Sequence, residues 1–78
     1  MQTFKKLEKL MKDNFISDVD LSRATIPVDP DGFGLTSGHI GKIRKAHMNP
    51  TINTMVILCK AISTLLKKKV KIDDLIDD

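Results

Sequence analysis

The chain has 78 residues, no Trp or Tyr and only three Phe, so it is expected to form one small domain whose core rests on Ile, Leu, Val and Met, which favours packed helices. The net charge of +3 is small, and the single Cys59 argues against an internal disulfide, a secreted scaffold and a zinc site. No run reaches the roughly 18 apolar residues of a membrane span, and no signal peptide is evident, so we expect a soluble, unprocessed cytoplasmic protein with no membrane partner.

Two helices are predicted in the first third of the chain. Residues 3–14 form an amphipathic helix with one apolar stripe, made of Phe4, Leu7, Leu10 and Met11. Residues 17–25 form a second, short helix, because Ser17 is a good N-cap and Asp18 and Asp20 lie in the first turn, where the helix dipole favours anions. Its packing face is predicted to contain Val19, Leu21, Ser22 and Thr25.

Residues 26–33 interrupt the helical pattern with two prolines and a glycine. The string Asp29-Pro30-Asp31-Gly32 is a strong turn signal, since Pro fixes φ and Gly allows the positive φ that follows. Apolar residues on both sides make either a small β-hairpin or a flexible loop possible. An Asp-x-Asp-Gly string also occurs in calcium loops, but the position of the expected twelfth-residue Glu is Ile40, so calcium binding is not expected.

Residues 36–45 are predicted to form a short helix with one buried edge. Thr36 can act as the N-cap, and Ile40 and Ile43 recur on one face. The other side chains lie elsewhere on the helix surface: Ser37, Gly38, His39, Gly41, Lys42, Arg44 and Lys45. Polar and cationic groups on an outward face, with glycines permitting close approach, suit the groove of a DNA duplex.

A long core helix is predicted next. It is capped by Asn49 or by Thr51, depending on whether Pro50 is its first residue. It runs to about Lys67 with a wide apolar stripe, made of Ile52, Met55, Val56, Leu58, Cys59, Ile62, Leu65 and Leu66. The lysines at 67–69 are placed in its last turn, where cations offset the negative helix end. A last short helix, capped by aspartate, is predicted over residues 73–76.

Charge is distributed unevenly along the chain. Residues 32–72 contain no Asp or Glu and eight cations: Lys42, Arg44, Lys45, Lys60, Lys67, Lys68, Lys69 and Lys71. A basic block of this kind attracts polyanions, and counterion release on phosphate contact gives binding that needs no sequence code. The alternative is an ordinary solvated basic face.

Without residues 26–33, the chain reads Leu21-Ser22-Arg23-Ala24-Thr25 followed by Gly34-Leu35-Thr36-Ser37-Gly38-His39-Ile40-Gly41-Lys42-Ile43. With Asn49-Pro50-Thr51 next and Lys71-Ile72-Asp73-Asp74-Leu75 at the end, this order resembles the lambda-repressor-like helix-turn-helix family, the XRE class, over about residues 4–76. The resemblance implies an all-α, five-helix DNA-binding domain with residues 26–33 inserted inside the helix-turn-helix. Residues 17–25 would brace across the DNA backbone and residues 36–45 would lie in the major groove, commonly as a two-fold dimer on a pseudo-palindromic operator.

The resemblance also implies which residues contact DNA. Base contacts are assigned to Ser37, Gly38 and Lys42, with His39 at their margin. Phosphate contacts are assigned to Ser17, Thr36, Arg44, Lys45 and Thr51. Ordinary solvent exposure is the alternative for Ser37 and Lys42.

Asp18 and Arg44 are among the residues that depart from the family pattern. Asp18 stands where the family often has a glutamine near the DNA backbone, and a carboxylate there is repelled by phosphate unless a cation or water intervenes. Arg44 replaces a common glutamate whose usual arginine partner is here Met11. The usual salt bridge is therefore expected to be absent, which leaves Arg44 to seek phosphate.

No catalysis, metal or cofactor is expected. The candidates for such chemistry are His39, His47 and Cys59; the histidines lie more than two helical turns apart, and Cys59 lies on an apolar stripe as a buried, inert thiol. The leading hypothesis is a sequence-specific transcriptional regulator, a repressor that binds double-stranded DNA as a homodimer. The alternatives are an antitoxin or other interaction module that holds a partner protein such as a toxin and autoregulates its operon, and a DNA-free dimerising scaffold.

Overall fold

The computed structural model describes residues 4–45 and 48–76, which form an all-α domain. Its elements are α1 (Lys5–Asp13), α2 (Asp18–Thr25), α3 (Ser37–Arg44), α4 (Ile52–Leu66) and a 3₁₀ turn at Ile72–Asp74. The radius of gyration of 11.0 Å is that of a well-packed chain of this length. Among the helices of this described part, none combines the length and apolar character that a bilayer span needs.

Side-chain caps begin three of the four helices, as the sequence predicted. The Ser17 hydroxyl accepts the Asp20 N–H at 3.0 Å, while the Asp20 carboxylate accepts the Ser17 N–H at 3.1 Å, which completes a capping box. Thr36 caps α3 and Thr51 caps α4 in the same way, through the third N–H of each helix. Thr51 is therefore the cap of α4, and Pro50 precedes the helix. The predicted start of α1 at Thr3 lies outside the described residues.

The core is built around α4, against which α2 and the C-terminal turn pack. Its largest fully buried apolar side chains come from all four α-helices and from the residues that flank α1 and the 3₁₀ turn: Phe4, Leu7, Leu21, Ile40, Ile43, Leu58, Ile62 and Leu75. The apolar stripe of α4 is narrower than predicted, because Ile52 at its first position is 71% exposed and Leu65 is exposed near its end. Val19, predicted to pack in the core, is also exposed.

A fifth α-helix over residues 73–76 is not shown. The described residues form a 3₁₀ turn there, Ile72–Asp74, in which the Lys71 N–H donates to the Asp74 carboxylate at 2.9 Å. The cap is thus Lys71 and not an aspartate, and the turn delivers Leu75 and Ile76 to the core. The lysine run is also placed differently from the prediction: Lys67 is the C-cap of α4 in the left-handed conformation, with φ of 56°, so the run follows the helix.

Residues 26–33 form a loop without any strand, so the predicted hairpin alternative is wrong. The predicted turn is present: the Gly32 N–H donates to the Asp29 carbonyl at 3.0 Å, and Gly32 has φ of +77°. The Asp29 carboxylate accepts the N–H groups of Asp31 at 3.0 Å and Gly34 at 2.7 Å, which lowers the pKa of Asp29. Because these two N–H groups donate to the Asp29 side chain, they are not available for the backbone hydrogen bonds of a β-hairpin.

Two hydroxyls join the ends of this loop. The fully buried Thr25 hydroxyl donates to the Ser22 carbonyl at 2.6 Å and accepts the Leu35 N–H at 2.8 Å. The Ser22 hydroxyl donates to the Leu35 carbonyl. Leu35, the residue before the α3 cap, is therefore held against the end of α2, and the two ends of the loop lie close together.

Candidate nucleic-acid interface

Helix α3 is attached to the core by one edge, as its sequence pattern predicted. Ile40 and Ile43 are fully buried, whereas Gly38, Lys42 and Lys45 are exposed on the other side. The Thr36 hydroxyl accepts the His39 N–H at 3.0 Å and fixes the start of the helix. The outward side of α3 is therefore available to a ligand.

A shallow cleft runs between this side of α3 and the first turn of α2. We call it the α2–α3 cleft; it is lined by Asp18, Val19, Ser37, Gly38, Gly41, Lys42 and Lys45. The structure thus brings together three of the four residues assigned to bases and one of those assigned to phosphate. His39 lies outside the lining, half-buried, and its Nε2 is buried without a hydrogen-bond partner in the described part of the chain.

The glycines of α3 keep this cleft open. A Cβ added at Gly38 would meet no atom within 4 Å, so the helix backbone itself lies at the surface there. A Cβ at Gly41 would touch the Asp18 carboxylate at 3.4 Å, an ordinary contact. A surface with exposed backbone and flanking lysines allows close approach of a nucleic-acid edge.

Arg44 is paired within the chain, which corrects the expectation that it is free for phosphate. Its Nε donates to Oδ1 of Asp18 at 3.2 Å, and a terminal nitrogen donates to Oδ2 at 3.1 Å. Glu8 lies 3.7 Å from the guanidinium on the other side. The hydrogen bonds from Arg44 to Asp18 raise the pKa of Arg44. The Asp18 carboxylate in the α2–α3 cleft is therefore already offset by a cation.

No protein-family model, curated protein or solved structure matches this chain. The candidate interface accordingly rests on the chain's own geometry.

The three cap residues assigned to phosphate, Ser17, Thr36 and Thr51, all lie at helix N-termini. Each hydroxyl oxygen accepts a backbone N–H, which leaves the hydroxyl protons of Ser17 and Thr36 able to donate. The Thr51 hydroxyl donates to the Thr54 hydroxyl at 3.1 Å. Helix N-termini also favour anions through their partial positive charge. These positions are compatible with phosphate contacts.

Sequence reasoning missed Val19 as part of the cleft lining and Glu8 as a second carboxylate beside Arg44. It also identified Asp18 only as a problem, although the signal for its partner was present: Asp18 and Arg44 were both unusual for the family pattern and opposite in charge. Two such departures on neighbouring helices favour a direct pair.

Within the described residues, Cys59 and the metal-ligating residue types are further candidates for a second site. Burial raises the pKa of the Cys59 thiol, which opposes thiolate formation. Among residues 4–45 and 48–76, no three His, Cys, Asp or Glu side chains converge as a metal site. His47 lies outside the described residues.

Proposed function

We propose that this chain is a sequence-specific DNA-binding regulator of the lambda-repressor-like class, a repressor that occupies promoter DNA as a homodimer. The observation that carries the proposal is the α2–α3 cleft, in which a capped helix pinned by two buried isoleucines presents an uncharged and cationic face beside a second helix N-terminus. In helix-turn-helix proteins this arrangement fits the major groove.

The charges of the cleft support the same proposal. Lys42 and Lys45 are exposed, and Arg44 offsets the Asp18 carboxylate, which is the one carboxylate that the described residues place in the lining. Lys42 is suited to the O6 and N7 acceptors of guanine, and Lys45 to phosphate. Ser37 adds a short donor and acceptor, while Gly38 contributes only backbone, so the shape of the duplex contributes to specificity.

Fluorescence anisotropy with genomic fragments over a range of salt concentrations tests this proposal. Lys42→Ala should reduce discrimination between sequences. Lys45→Ala should weaken binding to all sequences alike and reduce the salt slope by about one, because one phosphate contact is lost. Lys60→Ala is the matched control, since Lys60 belongs to the same basic block but lines a different groove on α4. Wild-type protein without salt-dependent DNA affinity would contradict the proposal.

The second candidate is an antitoxin or other protein-interaction module. It is favoured by the loop at residues 26–33, whose two ends are fixed while Phe33 is 85% exposed and Ile26 is also exposed. An anchored loop with an exposed aromatic group suits a protein partner. Co-expression with the product of the neighbouring gene tests it: a complex that forms with the wild type and is lost with Phe33→Ala supports the loop as partner surface, and an unchanged complex contradicts it.

A further inference from the structure

Phe15 has an unusual combination of backbone conformation and exposure. It lies between α1 and α2 with φ of +57°, and its side chain is 92% exposed. The backbone is held there by the Ile16 N–H, which donates to the Met11 carbonyl at 2.8 Å, and by the Phe15 N–H, which donates to Lys12. Glycine is the residue that normally occupies such a helix-ending position, because a side chain there strains the backbone. In the isolated chain, Phe15 buries almost nothing that would offset this strain.

Phe15 is one of four apolar residues in a groove between the α1–α2 connection and the end of α4. Phe15 and Leu65 are exposed there, whereas Ile16 and Leu66 are half-buried and pack against the core. We call these four residues the Phe15 patch. The rim of the groove is formed by Asn14, Asp20 and Arg23, so it carries one acid and one base.

We propose that two copies of this chain associate through the Phe15 patch. Asp20 and Arg23 give the rim no net charge, which disfavours DNA and strongly charged proteins as occupants. The acid on the rim of one copy is complementary to the base on the rim of another copy. In a two-fold pairing, Asp20 of one copy faces Arg23 of the other while the apolar side chains meet at the centre. A small domain with a limited core gains stability from such burial.

This surface is separate from the candidate DNA interface. Helix α2 contributes Asp18 and Val19 to the α2–α3 cleft, but Asp20 and Arg23 to the rim of the groove that holds the Phe15 patch. Self-association therefore leaves the cleft open. The inference rests on the proposed homodimer and names the surface that forms it.

Sedimentation equilibrium of the full chain without DNA tests the inference. Wild-type protein should dimerise, and Phe15→Gly should raise the dimer dissociation constant by about a hundredfold, because two aromatic side chains leave the interface. Ile52→Ala is the control: it removes an exposed apolar side chain at the opposite end of α4 from the Phe15 patch and should leave the constant unchanged. Because glycine relieves the positive φ, the unfolding midpoint of Phe15→Gly, measured where both proteins are monomeric, should not fall.

A charge variant checks the pairing at the rim. Arg23→Glu should weaken dimerisation, because it places like charges opposite each other, and Arg23→Lys should retain it. A monomeric wild type, or a Phe15→Gly protein that dimerises as well as the wild type, overturns the inference. Salt-dependent binding to a duplex that contains one half-site is measured separately, so loss of DNA binding and loss of self-association are distinguishable.

Discussion

At the scale of single residues, the pair formed by Asp18 and Arg44 determines the charge of the α2–α3 cleft. The two side chains are 28% and 24% exposed and share two hydrogen bonds. A two-bond carboxylate–guanidinium pair has a fixed geometry, so Arg44 acts as an internal counter-charge. Phosphate can then approach Asp18 without meeting an uncompensated negative charge.

Arg44→Met should lower the free energy of unfolding by about 1–2 kcal/mol, because Asp18 loses both bonds in a largely buried position. It should also weaken DNA binding, and adding Asp18→Asn should restore most of that affinity. Chemical denaturation and anisotropy on the two single variants and the double variant measure both effects. A direct phosphate contact by Arg44 predicts the opposite result, an equal loss of affinity with Asp or Asn at position 18.

The Asp29 carboxylate should make stability depend on pH. Hydrogen bonds from the N–H groups of Asp31 and Gly34 hold the pKa of Asp29 below its ordinary value of 3.8. A lowered folded-state pKa contributes stability that is present above the unfolded pKa and is lost as pH falls through the folded value. Asp29→Ala should therefore be less stable than the wild type at about pH 7, and the difference should shrink below about pH 4.

Urea denaturation over a pH series measures this difference. Asp31→Ala removes a carboxylate from the same exposed turn and controls for the loss of charge. A gap between the wild type and Asp29→Ala that stays constant or widens on acidification would refute the assignment.

At the scale of elements, the helix starts could be predicted because each depends on neighbouring residues. Ser17, Thr36 and Thr51 all cap the third N–H that follows them. The path of residues 26–33 could not be predicted, because it depends on bonds between separated residues. Ser22 and Thr25 bind Leu35 across 13 and 10 positions, and no periodicity or turn signal encodes such contacts.

The difference between contacts among neighbouring residues and contacts between distant residues also explains the errors in predicting the core and the site. Leu58 and Ile62 were correctly assigned to the core from spacing. Ile52 shares that spacing, but it is the first residue of α4 and is exposed. Whether the end of a helix is covered depends on how the neighbouring elements pack, which spacing along the chain does not encode. The partner of Arg44 lies 26 positions away, so it too was set by the crossing of helices.

Gly34→Ala should disrupt the closure between α2 and α3. Gly34 has φ of +72°, and an added Cβ would lie 2.7 Å from Cγ1 of Ile26 and 3.0 Å from the Ile26 backbone nitrogen. Strain and overlap together should lower the free energy of unfolding by about 2–4 kcal/mol. Gly32→Ala is the matched control, because it has a similar φ of +77° but no atom within 4 Å of the added Cβ. Chemical denaturation that shows equal losses for both variants would contradict the overlap.

At the scale of the whole molecule, α2 is the element shared by two surfaces. One side of α2 contributes to the α2–α3 cleft, and the other contributes Asp20 and Arg23 to the rim of the groove that holds the Phe15 patch. A rigid short helix between the two would keep a fixed orientation between DNA and a second copy. For a two-fold dimer on B-DNA, that orientation sets the half-site spacing, which is about 34 Å or a multiple of it.

The proposed dimer should make thermal stability depend on protein concentration. Association stabilises the folded state by mass action, so the unfolding midpoint of the wild type should rise as the protein becomes more concentrated. The midpoint of Phe15→Gly should stay nearly constant over the same range. Differential scanning calorimetry at several protein concentrations measures both midpoints. A wild-type midpoint that does not depend on concentration would argue against a dimer that stabilises the folded state.

The closure at Leu35 also makes residues 30–33 a natural grafting position. Ser22 and Thr25 clamp the returning chain from the α2 side, and Asp29, which binds the Gly34 N–H, belongs to the same closure and has to be kept. A foreign peptide epitope spliced between Asp29 and Gly34 should therefore be displayed while α3 keeps its place, and the domain would serve as a small carrier for exchangeable recognition loops.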